Sequence, residues 1–219
     1  MNNMQNNPPN LADIDTPAAV VSLPRMQRNI ARMQQQADAL GVRFRPHVKT
    51  SKCADVVAAQ LAAGAAGITV STLKEADQFF ARGVTDILYA VGMAPHRLAH
   101  ALDLRQRGCA LQILTDSVEG ARAIAEYGRA HGHAFEVLIE IDTDGHRSGI
   151  KPGETCCSRS AACCSRAACA WPACSRMRAP ATNCTRPRPW PPWPSRNARA
   201  ACRLRSACAQ QACRAPSCR

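Results

Sequence analysis

Arg45-Pro46-His47-Val48-Lys49-Thr50 lies between two segments of helical periodicity. Residues 42–49 therefore read as a short strand that hands a lysine to a loop. In a strand, alternate side chains share a face, which puts Arg45, His47 and Lys49 together. A buried face with three basic groups makes poor core, because each charge wants a partner. Lys49 then has two readings. It is a solvated amine at a strand end, or it is a nucleophilic amine of the Schiff-base kind, activated by desolvation or a neighbouring cation.

Working outward, the chain alternates strand and helix. Residues 18–23 are apolar and β-branched after Thr16-Pro17, which predicts a strand. Pro24 opens a helix carrying Ile30, Met33, Ala37 and Leu40 at helical spacing, and Gly41 ends it. Helices are predicted over 54–63, 74–82, 95–107 and 118–131, the second and third closed by Gly83 and Gly108. Strands are predicted over 67–71, 86–91, 110–115 and 135–141. Strict alternation with short loops and buried apolar strands argues for parallel strands joined by crossover helices. A repeat of about 22 residues suits a (β/α)8 barrel better than an open doubly wound sheet. No GxGxxG or P-loop follows the first strand, which weakens a nucleotide-binding reading. About five of the eight β/α units of a barrel are legible.

Composition divides the chain in two. The formal charge is +12, but residues 1–154 hold all 16 acidic residues and 16 of the 28 basic ones, and so net to zero. Residues 155–219 have no Asp or Glu, 12 Arg, 11 of the 13 Cys and all three Trp. A charge so distributed does not argue for nucleic acid. Residues 1–10 read as a polar, disordered leader without a secretory h-region. No apolar run reaches the roughly 18 residues that a membrane span needs. With Cys53 and Cys109 unpaired, the first part reads as cytoplasmic.

The tail has Leu204 as its only Leu, Ile, Val or Phe, too little apolar surface to offset chain entropy. Its cysteines form no CxxC pair for zinc, and a disulfide framework conflicts with the cytoplasmic first part. The remaining reading is a shifted frame. With GC-rich codons, MRAPATNCTRPRPWPPWPSRN (177–197) read one base earlier becomes HAGASYELHAAEAMAAMAEQE, and residues 171–176 become LAGVLT. Strand, polar loop and amphipathic helix return. One base is expected to be missing near codon 154, and sequencing the gene across that codon tests it. The tail 155–219 is accordingly expected to be unstructured.

DTPAAVV (15–21), RPHVKTSK (45–52) and EIDTDGHRSGIKPGE (140–154) resemble the D-threonine aldolase and D-serine dehydratase family, with the likeness running in order through residues 11–154. The resemblance implies an N-terminal barrel of the alanine racemase kind, here partial, that holds pyridoxal 5'-phosphate (PLP). It makes Lys49 the covalent cofactor lysine. It sets Arg147 near the pyridine nitrogen, against the plainer reading of an ion pair with Asp142 or Asp144. His47 either lines the site or is a hydrogen-bonded core histidine. His146 is expected to be exposed, and the two early cysteines to pack as small apolar groups. Position 51 is Ser where many members have His.

The activity implied is that of a lyase on a D-configured β-hydroxy amino acid. The first reading is aldolase cleavage of D-threonine-like substrates to glycine and an aldehyde. The alternative is dehydration, of the D-serine or 3-hydroxyaspartate kind. A reading from another class is a non-catalytic PLP carrier. The family also implies a homodimer and a divalent metal held by a later β-domain, whose ligands no residue of this chain matches. On that ground the chain is expected to be an inactive fragment, with open sheet edges.

Overall fold

The computed structural model describes residues 10–142, 148–151 and 175–177. Five helices and five strands follow one another: α1 (Leu23–Ala39), α2 (Ala54–Ala62), β1 (Ile68–Val70), α3 (Leu73–Phe80), β2 (Asp86–Gly92), α4 (Leu98–Gln106), β3 (Ala110–Thr115), α5 (Val118–Ala130), β4 (Glu136–Asp142) and β5 (Ser175–Met177). The strands form one sheet in the order β1-β2-β3-β4-β5. Every pairing is parallel. Sequential neighbours in a parallel sheet require crossovers, and α3, α4 and α5 supply them.

The helices begin and end where side-chain chemistry dictates. Thr72 and Ser117 cap α3 and α5, accepting hydrogen bonds from the Glu75 amide at 3.0 Å and the Gly120 amide at 3.1 Å. Pro24 sits in the first turn of α1, where its missing N–H costs nothing. Gly83 and Gly108 follow α3 and α4 with φ of 87° and 98°, a conformation that a Cβ disfavours.

The period-2 alternation of the strands splits the core into two layers. Ile87 and Tyr89 of β2, Leu111 and Ile113 of β3 and Val137 of β4 face the helices and pack with Leu73, Leu98, Leu104 and Ile124. Leu88, Ala90, Leu114 and Leu138 form a separate cluster on the opposite face. A sheet buried on both faces explains the nearly continuous apolar run of each strand. Fully burying one such side chain stabilises the fold by roughly 1.5–3 kcal/mol.

Two expectations are corrected. Residues 18–22 form no strand. Val20 and Val21 are exposed, and no described strand pairs with this segment, so β-branched side chains alone do not make a ladder. Residues 43–49 run beside β1 but contribute one isolated bridge, His47 to Thr69. The Thr69 amide donates to the Pro46 carbonyl at 2.8 Å and the Val48 amide to the Thr69 carbonyl at 2.9 Å. Pro46 has no N–H to give, so the ladder is interrupted. Residues 175–177 form β5, pairing Glu140 with Ser175 and Asp142 with Met177. Backbone pairing at a free sheet edge needs no apolar side chain. The rest of the tail lies outside the described residues.

Candidate functional site

Parallel strands end on one edge of the sheet. The register runs from His47 through Thr69 and Leu88 to Gln112 and Glu136. Two residues further along lie Lys49 and Ser71, and the same edge carries Gly92, Thr115 and Asp142, the last residues or near-last residues of their segments. In open and closed parallel sheets alike, chemistry collects at this carboxyl edge, because the loops that follow the strands converge there. A cavity of about 420 Å³ opens at it, lined in part by Gly92, Thr115, Asp116, Ser117, Glu140 and Ser148. Glu140 is buried and accepts a hydrogen bond from the Ser148 hydroxyl at 2.9 Å.

The three basic residues on one face of the 42–49 segment have different fates. Arg45 sits at the amino edge. Its guanidinium grips both oxygens of Asp86, at 2.8 and 2.9 Å, a forked geometry that holds the segment to the first residue of β2. Gly67 lies so close that a Cβ there would come within 2.7 Å of the guanidinium and 2.6 Å of the Asp86 carbonyl. Arg45 is therefore structural. Val48, on the opposite face, is fully buried in the helix-side core and fixes the segment's orientation.

His47 is half-buried. Its Nδ1 accepts a long hydrogen bond, 3.4 Å, from the Lys49 amide, and its Nε2 lies 3.4 Å from the Ser71 hydroxyl. An accepting Nδ1 puts the ring proton on Nε2 and gives the neutral tautomer. Burial first, and then the Lys49 charge, hold the ring's pKa below the ordinary 6.5. Its partial burial and two hydrogen bonds are those of a satisfied histidine. Lys49 is exposed and makes no ion pair among the described residues.

Arg147 and His146 lie outside the described residues. Of the early cysteines, Cys109 is buried in the helix-side core, and burial pushes its thiol up to about 11, so it packs as an un-ionised group. Cys53 is half-buried. Among the described residues no group of three His, Cys, Asp or Glu could hold a metal ion, and no helix is long and apolar enough to cross a membrane.

Sequence reasoning missed Lys52, Ser71 and Glu75. Glu75 is 6 % exposed. Its carboxylate takes the Lys52 ammonium at 3.1 Å and the Ser71 amide at 2.9 Å. Burial works to raise its pKa, but the Ser71 amide, Lys52 and the Thr72 amide together hold it below the ordinary 4.5. A signal was available: Thr72-Leu73-Lys74-Glu75 is a capping box, in which the glutamate reaches back to the chain before the helix.

These shifts fix a pH dependence. The folded chain holds His47 below 6.5, so between the two pKa values the unfolded chain binds more protons. The stabilisation is fully present above pH 6.5 and is lost as pH falls through the folded value. His133, lowered by burial and then by Arg105, acts the same way. Glu75 repeats the pattern below pH 4.5. Urea midpoints followed by circular dichroism should be level from pH 6.5 up to about 8, short of the ordinary thiol range, and decline below 6.5, with a further decline below 4.5. A His47→Gln variant should show a shallower first decline. A midpoint that rises on acidification would contradict this assignment.

The family model described as alanine racemase, N-terminal domain, matches residues 21–169. A D-threo-3-hydroxyaspartate dehydratase of Delftia sp. is 70 % identical over 145 residues, 66 % of this chain and 38 % of that protein. A D-threonine aldolase of Arthrobacter sp. is 33 % identical over 141 residues, 64 % of this chain and 37 % of that protein. The solved structure of the Delftia dehydratase superposes with a TM-score of 0.71 at 64 % identity, covering 72 % of this chain and 42 % of that one. The chain spans about two-fifths of the length of these relatives.

Proposed function

The chain belongs to the alanine racemase N-terminal domain family, and from that premise we propose that it carries the cofactor-binding part of a PLP-dependent lyase for D-configured 3-hydroxy amino acids, of the dehydratase kind. The observation that carries the reading is the 70 % identity with a D-threo-3-hydroxyaspartate dehydratase, against 33 % with a D-threonine aldolase. This favours dehydration, the alternative in the sequence, over aldolase cleavage.

The donor set fits an aldehyde cofactor. Lys49 offers a primary amine at the carboxyl edge, exposed and without an ion-pair partner among the described residues, and the cavity opens along the same edge. Lys49 would hold PLP through that amine. By family position, Arg147 would stand beside the pyridine nitrogen. When bound, PLP supplies an electron sink for the charge left on the substrate's α-carbon. The chain's own part is orientation. Neutral His47 orders the Lys49 amide, and the buried Val48 fixes the strand segment that presents the lysine. For 3-hydroxyaspartate, water leaves from the β-carbon and is regained as nitrogen leaves as ammonia, so the balance is one 2-oxo acid and one ammonia.

We further infer that residues 155–219 are read out of frame. The test combines both inferences. Restoring one base near codon 154 should give a product that converts D-threo-3-hydroxyaspartate to a 2-oxo acid and ammonia at rates at least ~10-fold above those of glycine and aldehyde formation, a difference of about 1.4 kcal/mol in activation free energy. Predominant glycine and aldehyde would return the reading to aldolase. An unbroken gene sequence across codon 154 would remove the shifted frame.

A further inference from the structure

Residues 49–52 form a single tight turn that carries Lys49 out of the sheet edge. Its far end is Lys52, whose amide donates to the Val48 carbonyl at 2.9 Å. Lys52 has φ of 47°, and is the one non-glycine residue with positive φ among the described residues. An L residue with a long side chain rarely adopts that conformation unless its surroundings enforce it. The Lys52 ammonium, on a side chain more than half exposed, reaches 3.1 Å from a Glu75 oxygen.

Glu75 is anchored in turn. It sits in the first turn of α3, nine-tenths buried, and its second oxygen accepts from the Ser71 amide at 2.9 Å. Ser71 faces His47 through its hydroxyl, and His47 receives the Lys49 amide. Both ends of the turn are thereby tied to one carboxylate, one end through Lys52 and the other through Ser71 and His47. An ordinary capping glutamate satisfies an amide of its own helix end and needs no partner across the sheet edge. A buried carboxylate paired to a strained lysine has a further effect, because it sets the direction in which the turn leaves the strand.

We propose that Lys52 and Glu75 are positioning residues that fix the turn presenting Lys49 to its aldehyde cofactor. The proposal rests on the reading of Lys49 as the covalent lysine. Neither residue touches the reacting atoms. They act by holding the Lys49 amine in one approach direction. Misplacing a reacting group by an ångström is enough to cost on the order of a hundredfold in rate.

The experiment follows capture of PLP by the 219-residue chain, trapped with borohydride and located by peptide mass spectrometry, together with hydrogen exchange of the peptide spanning residues 49–52. Lys52→Met and Glu75→Gln should each slow capture at Lys49 by roughly tenfold or more and raise exchange in that peptide. Lys52→Arg should restore both, since it keeps the charge. The parent's advantage in rate over Lys52→Met should shrink as acid protonates Glu75. If Lys52→Met loses its helical circular dichroism, Glu75→Gln, which keeps shape and the Ser71 contact, decides the matter. Trapping at Lys49 with parental rate and parental pH profile in Glu75→Gln overturns the positioning role and leaves the Lys49 reading standing. Absence of label at Lys49 in the parent overturns the Lys49 reading and this proposal with it.

Discussion

Lys49→Ala is expected to abolish covalent capture of PLP. Borohydride treatment of the parent should leave label on the peptide containing Lys49, and the variant should show only the background labelling of the other lysines. The reason is geometric as well as chemical. The chain has four lysines, Lys49, Lys52, Lys74 and Lys151. Lys52 is engaged by Glu75 at 3.1 Å. Lys74 is an exposed residue of α3, and Lys151 an exposed residue beyond the β4 segment. Lys49 combines an amine without an ion pair among the described residues and a place at the carboxyl edge, along which the cavity opens. Label that remains in Lys49→Ala at the parental level, on any other lysine, would contradict the assignment.

Phe135→Ala should be the most damaging single truncation in the core, lowering stability by about 3–5 kcal/mol. Phe135 is fully buried where the chain passes from α5 into β4. Its ring meets His133 edge-on at 4.8 Å and Tyr127 at 6.4 Å, and it touches α5 at Gly128, where a Cβ would lie 3.6 Å from the ring. Removing it unseats the crossover helix from the strand that carries Glu140 to the cavity. Against a total stability of roughly 5–15 kcal/mol for a domain, a loss of that size leaves part of the population unfolded. Urea midpoints of parent and variant measure it, and Phe135→Leu, which retains most of the volume, should recover much of the difference. A Phe135→Ala midpoint equal to that of the parent would mean that this junction carries none of the fold's stability.

The segments whose reading succeeded are those in which local pattern and final environment agree. β2, β3 and β4 are apolar, short and bounded by glycine or polar turns, and they are strands buried on both faces. Residues 18–23 have the same local character, yet Val20 and Val21 are exposed and no strand forms. A strand exists through hydrogen bonds to another segment, and nothing in six residues says whether that segment is beside them. The placing of Arg45, His47 and Lys49 along one segment was legible because alternation within a segment is a local property. Glu75 was not, because its partners Lys52 and Ser71 come from before and after β1.

By itself the sequence determined the alternation of strands and helices from residue 54 onward and the helix ends at Gly83 and Gly108; each depends on residues within a few positions of one another. Only the tertiary structure decided what the three basic residues do. Arg45 became a structural fork on Asp86, 41 residues away, and Lys49 kept its amine free of ion pairs among the described residues. It also turned the capping Glu75 into a buried anchor for the turn that carries that amine. The physical reason is that a charge takes its role from what stands within a few ångströms of it, and that neighbourhood is assembled by the fold.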